Sequence, residues 1–249
     1  MWIRRELKER AKAVLSGNYW KAFLISIVIA LASGGSSGGG GGSGGSSNYS
    51  TNYNPPGLID LNILPFVILF VMIFIGALLF FVSLRIFLGY PLEVGGRRYF
   101  VQSAQYNDNT GCFRFAFNGR NYIGIILTML LRGVFNFLWY LLFIIPGIVK
   151  AYAYSMVPYI LADNPNIGYK RAIKLSNEMT YGHKFDMFVL DLSFIGWYLL
   201  GMLVLFVGML FVLPYDYATK AELYLVLRKN ALERNMCSYN ELQLGGSIC

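Results

Sequence analysis

No lysine or arginine occurs anywhere in the stretch Ala22–Leu84, and only 14% of the 249 residues are charged. A soluble domain carries about 25% charged residues. The deficit, together with 56% apolar residues, excludes an ordinary soluble domain as well as a disordered or collagenous chain. Histidine is nearly missing: His183 stands alone. Cysteine is scarce too, with Cys112, Cys237 and Cys249 at spacings that fit no zinc or redox motif. A disulfide framework and a structural metal are therefore excluded, and free thiols in a reducing compartment are expected. No cofactor is implied.

Positive charge is plentiful but confined. The formal net charge is +8, and the basic residues cluster at Arg4–Lys21, Arg85–Arg120, Lys170–Lys184 and Arg228–Arg234. No basic stripe interleaves with aromatics on a polar fold, so nucleic acid is not an expected partner. Clusters separated by apolar runs are instead how cations flank membrane spans on the cytoplasmic side. The expected fold is all-α: a polytopic transmembrane helical bundle of about six spans, with basic amphipathic helices at the interface.

The chain opens on such a helix. Trp2, Ile3, Leu7, Ala11, Val14 and Leu15 recur at helical spacing, with Arg4, Arg5, Lys8, Glu9 and Lys12 on the other face. It reads equally as a helix on an anionic membrane surface or as a solvated lead-in. Residues 1–19 are assigned to it, and residues 20–230 to an integral membrane domain. The first apolar run, Trp20–Ala32, reads as an uncleaved span, with a signal peptide as the alternative. Gly34–Ser47 is almost pure Gly and Ser, and with Asn48–Gly57 it reads as a flexible outer loop. A phosphate cradle would need a strand before it and a helix after it.

Leu64–Leu84 is the clearest span, charge-free and closed by Arg85. The polar stretch Gly89–Asn121 reads as short interfacial helices, with Arg97 and Arg98 meeting headgroups. Further spans are expected over about 122–145, ended by Pro146-Gly147, and about 148–162. Ile167–Thr180 is a second basic amphipathic segment. Residues 185–227 read as two spans, about 185–203 and 206–227, turning near Leu205–Gly208; one long span with an interfacial helix is the alternative. Six crossings leave only Arg132, Lys150 and Lys220 of the 21 basic residues outside the inner segments. Both termini, including the tail 231–249, are then cytoplasmic.

Several short motifs resemble the bacterial membrane-protein family catalogued as domain of unknown function 975. They are Gly17-Asn18-Tyr19-Trp20, Tyr90-Pro91-Leu92, Pro146-Gly147-Ile148, Tyr154-Ser155-Met156 and Tyr159-Ile160-Leu161-Ala162-Asp163, then Gly182-His183-Lys184, Leu192–Trp197 and Pro214-Tyr215. The likeness covers most of the chain except Gly34–Asn62. It implies a multi-pass inner-membrane protein and supplies no activity. The layout also looks like the membrane-anchor portion of some glycerophosphodiesterases, without their catalytic domain.

Ionisable groups at membrane depth are functional candidates, since each costs roughly 2.5–3.5 kcal/mol facing lipid. Arg132, Asp216 and Lys220 are those candidates. Arg132 with Asp216 is the expected inter-helix pair, and Asp216 with Lys220 on one helix is the alternative. Expected cytoplasmic-interface contacts are Arg97, Arg98, Lys170, Arg171, Lys174, His183 and Lys184, toward anionic headgroups. Asp186 and Asp191 lie about 140° apart round a helix, which does not make a one-faced acid–base pair. The first functional expectation is a non-enzymatic accessory, scaffold or envelope-homeostasis component, with a membrane-protein partner or a second copy. A transporter or permease for a small solute, lipid or peptide is the alternative.

Overall fold

The structure, a computed structural model, describes residues 3–32, 64–203 and 207–244. Every regular element among them is helical: α1 Arg4–Ala32, α2 Leu64–Leu84, a π-helical turn Arg85–Gly89, α3 Tyr90–Ala104, α4 Cys112–Phe117 and α5 Gly119–Leu142. Then follow α6 Ile144–Ala153, α7 Val157–Asp163, α8 Tyr169–Met179, α9 Lys184–Leu203 and α10 Val207–Glu233. The expected Gly/Ser loop over 34–57 and part of the expected turn near Leu205–Gly208 lie outside the described residues.

Four segments are long and apolar enough to cross a membrane: Pro65–Ala104, Gly119–Leu142, Ile144–Asp163 and Lys184–Met202. A fifth appears if Arg4–Ser16 and Tyr19–Ala30, which meet at 111°, count as one bent pair. α10 does not join them, because Asp216, Lys220, Glu222 and Arg228 interrupt its apolar surface.

α2 is apolar all round and has no buried side chain, so every face suits lipid. At 1.5 Å per residue it is about 31 Å long, close to a bilayer's hydrocarbon thickness. It continues through the π-helical turn into α3, where the surroundings reverse. Ten residues of α3, among them Glu93, Arg97 and Arg98, are buried. This corrects the reading of 89–121 as interfacial over α3, whose charged side chains lie inside the protein. The mistake has a physical origin. Glu93 and Arg97 are one turn apart and neutralise each other, so a polar-looking sequence is buried as an ion pair (3.8 Å).

The N-terminal amphipathic pattern is also resolved. Leu7, Ala11 and Leu15 are buried in the protein core, and α1 packs chiefly along α10. Lys8 Nζ donates to Ser193 Oγ at 2.8 Å and lies 4.4 Å above the Phe194 ring. α9 and α10 are separate helices packed side by side. Their contacts Asp191–Lys220 and Tyr198–Asp216 step in opposite chain directions, so they form an antiparallel hairpin. One long span over 185–227 does not fit this pairing.

α5 ends at Leu142 because Phe143 is extended (φ −157°), and Pro146 sits in the first turn of α6. Gly147 meets α5 so closely that an added Cβ would lie 2.6 Å from Tyr140 Cδ1 and 3.0 Å from its Cα. Gly147→Ala is therefore expected to cost about 1–3 kcal/mol by overpacking. Unfolding in detergent measures this, and an unchanged midpoint would contradict the packing described. Gly182, at φ +81°, closes the turn between α8 and α9, a conformation that L side chains rarely adopt.

Candidate functional site

The polar residues of the bundle converge. α10 carries Asp216, Lys220, Tyr224 and Arg228 at steps of four, which aligns them in one stripe along the helix. α3, α7 and α9 supply their partners. The spacing shows the Asp216–Lys220 step, and the same step carries on to Tyr224 and Arg228.

At one end, Lys220 Nζ lies 3.1 Å from Asp216 Oδ2 and 3.2 Å from Asp191 Oδ1. Tyr198 OH donates to Asp216 Oδ2 at 3.3 Å, and Tyr152 OH donates to Asp191 Oδ2 at 3.0 Å. Asp216 is only 1% exposed. Its other oxygen, Oδ1, is buried without a hydrogen-bond partner. A buried carboxylate oxygen left open in this way invites water or a ligand group.

In the middle, Arg97 Nη1 donates to Tyr159 OH at 3.1 Å, and the guanidinium lies 4.4 Å from the Tyr217 ring centroid. Arg97 Nε and Tyr217 OH are likewise buried and unpaired. Tyr159 stacks on Tyr224, with centroids 5.4 Å apart. At the other end, Asp163 Oδ2 accepts from Tyr224 OH at 2.6 Å and from Arg228 Nη1 at 2.9 Å. Arg98 donates to the Ala162 carbonyl and lies over the Phe115 ring. Arg97 and Arg98, each 7% exposed, are thus internal groups rather than headgroup contacts.

The network adjoins a broken helix. α6 stops at Ala153, a turn runs through Tyr154–Met156, and α7 restarts with Pro158 in its first turn. Proline has no N–H to extend the ladder across the break. Ser176 Oγ of α8 donates to the Ala153 carbonyl at 2.7 Å and satisfies it. Inside a bilayer, irregular backbone is tolerated only where protein or an aqueous cavity surrounds it.

The other expected contacts are placed as follows. Arg132 and Asp216 do not meet: among the described residues Asp216 pairs with Lys220, and Arg132 Nη1 reaches only Met129 Sδ at 3.9 Å. The pairing failed because α5 packs on α3, α4, α6, α7 and α8, with no substantial contact to α10. Lys170 and Lys174 are exposed on α8. Lys184 Nζ donates to Asn177 Oδ1 at 3.2 Å, and His183 Nδ1 lies 3.9 Å from Asp186 Oδ2.

Arg171 faces inward along the chain. It holds Glu241 through Nε and Nη2, and its Nη2 also donates to the Met236 carbonyl at 2.6 Å. Asn164 Nδ2 donates to the Glu241 carbonyl at 2.9 Å, so the C-terminal segment is strapped across α7 and α8. The hydrogen bond from Arg171 holds Glu241 below the usual carboxylate range. A lowered folded pKa adds stability above the ordinary glutamate pKa, and that stability is lost as pH falls through the folded value. Acidification should therefore loosen the strap first, read as a loss of amide-exchange protection over 236–244 relative to the intrinsic rate at each pH. Glu241→Gln should remove that pH dependence, and exchange independent of pH-driven release would contradict it.

Among the described residues no group of His, Cys, Asp and Glu is arranged to hold a metal ion. No curated protein and no solved structure matches the chain. The resemblance carried by the short motifs has a counterpart in the second half of the molecule. Residues 142–231, which contain α6 to α9 and most of α10, match the family described as "Protein of unknown function (DUF975)".

Proposed function

We propose that this is a non-enzymatic, multi-pass protein of a bacterial inner membrane that passes a small polar or charged solute along the network on α10. In this reading the chain crosses six times, α1 and α10 included, with both termini cytoplasmic and Lys170 and Lys174 toward anionic headgroups. The basic clusters flanking the apolar helices support that threading. The observation that carries the transport reading is the buried polar file from Asp216 to Arg228 beside the α6–α7 break. Discontinuous helices with unmatched polar atoms at the break are a recurrent design of solute pathways.

The scaffold reading rested on polar residues lying along the rim, and their convergence weakens it. One observation still favours it: α2 offers its whole surface to lipid or to another helix. The two readings differ in whether water reaches the network. In a chain with all three cysteines replaced by serine, Tyr198→Cys should react with a membrane-impermeant maleimide from one side only. Complete protection from both sides would overturn the pathway and leave the scaffold.

A further inference from the structure

Three guanidinium groups gather at the π-helical turn around one carboxylate. Glu93 pairs with Arg97, and both are buried. Among the described residues Arg85 has no carboxylate partner. Its guanidinium lies over the Tyr90 ring, 5.6 Å from the centroid, and its Nη1 is buried with no hydrogen-bond partner. Arg132 has only the Met129 thioether at 3.9 Å. The charges acting on it are those of Glu93, Arg97 and Arg85. The Tyr90 hydroxyl reaches α5 beside it, 3.5 Å from where a Cβ on Gly133 would lie. One negative charge against three positive leaves Arg85 and Arg132 unmatched. Arg85 and Arg132 are half-buried, and a charge partly withdrawn from water without a partner is costly, so the fold as described favours an anion here.

The second observation is the groove next to it. It has a volume of about 380 Å³, and Val28, Phe81, Leu84, Leu88, Gly89 and Leu92 line it together with Arg85. The lining other than Arg85 is apolar. It runs beside the last turn of α2, the charge-free helix, and Arg85 is the first cation after that helix. An apolar trough ending on unmatched arginines is complementary to a molecule with a phosphate at one end and a hydrocarbon chain at the other. Guanidinium forks suit phosphate oxygens in both geometry and charge.

We propose that the π-helical turn binds one anionic phospholipid, its phosphate held by Arg85 and Arg132 and one acyl chain lying in the Val28–Leu92 groove. The site does not depend on whether the α10 network conducts a solute. The groups that hold the lipid, Arg85, Arg132 and the groove, lie outside that network, and the site has its own readout.

Native mass spectrometry of the full chain released from detergent tests it, with phosphatidylglycerol and phosphatidylcholine of matched chains as probes. One phosphatidylglycerol should be retained about tenfold more tightly than phosphatidylcholine, the scale of one or two charge-assisted contacts. Arg85→Gln and Arg132→Gln should each abolish that preference, whereas Lys170→Gln should leave it unchanged. Equal retention of the two lipids, or a preference lost with Lys170 and kept without Arg85 and Arg132, would overturn the proposal.

Should the arginine variants fail to fold, thermal unfolding of the unaltered protein decides. A midpoint raised by phosphatidylglycerol, and not by phosphatidylcholine or inorganic phosphate, supports the lipid site. A midpoint raised equally by inorganic phosphate would show a simple anion site, and one raised by none of the three would show no site; either result overturns it.

Discussion

Lys220→Met is expected to destabilise the bundle by about 3–5 kcal/mol, the usual consequence of removing one partner from a buried ion pair. The size follows from geometry. Lys220 is the ammonium shared by Asp216 and Asp191, at 3.1 and 3.2 Å, and Asp216 is almost wholly buried. Without it, two carboxylates from adjacent helices face each other with only Tyr198 and Tyr152 as donors. The α9–α10 hairpin would then be held by packing alone against a local repulsion. Neutralising all three, with Asp191→Asn, Lys220→Met and Asp216→Asn together, should recover most of the loss, because no charge remains unpaired. Equilibrium unfolding in mixed micelles reads both. A loss below about 1 kcal/mol, the range of a solvated surface pair, would contradict the buried triad.

Asp163→Ala is expected to cost a similar amount, about 3–5 kcal/mol, at the opposite end of the stripe. Asp163 Oδ2 is the single acceptor for both Tyr224 OH and Arg228 Nη1. Its removal strands a guanidinium and a phenol in an interior formed by α7 and α10. Asp163→Asn keeps an acceptor oxygen and should lose less. The exposed Lys229–Glu233 pair at 3.9 Å, on the next turn of the same helix, is the internal comparison. Glu233→Ala should change stability by no more than about 1 kcal/mol. Equal effects at the two sites would mean that Asp163 is solvated, contrary to its burial.

How much of this was legible beforehand varied with how strongly one force dominated. α2 could be read directly, since a charge-free run of that length has no other economical place than lipid. The hairpin α9–α10 was legible from the excess length of the apolar region and from the basic residues after it. The amphipathic pattern of α8 was visible, with Ala172, Leu175 and Met179 buried and Lys170 and Lys174 exposed.

The failures share one cause. A charge in a sequence suggests solvent or a headgroup unless its partner one helical turn away is counted with it. Glu93 and Arg97, a turn apart, satisfy each other and sink into the core as α3. Arg98 follows them by bonding a backbone carbonyl and stacking on Phe115. Arg132 was matched with Asp216 by depth alone, although depth says nothing about which helices touch. The four-residue steps Glu93–Arg97, Tyr159–Asp163 and Asp216–Lys220–Tyr224–Arg228 were all present in the sequence. Reading them as faces rather than as single residues points to α3, α7 and α10 as the polar centre. The Arg171–Glu241 contact, by contrast, joins residues 70 positions apart with no periodicity to announce it.

If apolar helices thread the membrane repeatedly with their basic connections on one side, reporter fusions read that topology. Paired cytoplasmic and exported reporters fused after Lys174 and after Arg234 in the full chain should both be active only as cytoplasmic reporters. An exported reporter active at either position, or a chain that stays in solution without detergent, would contradict the account.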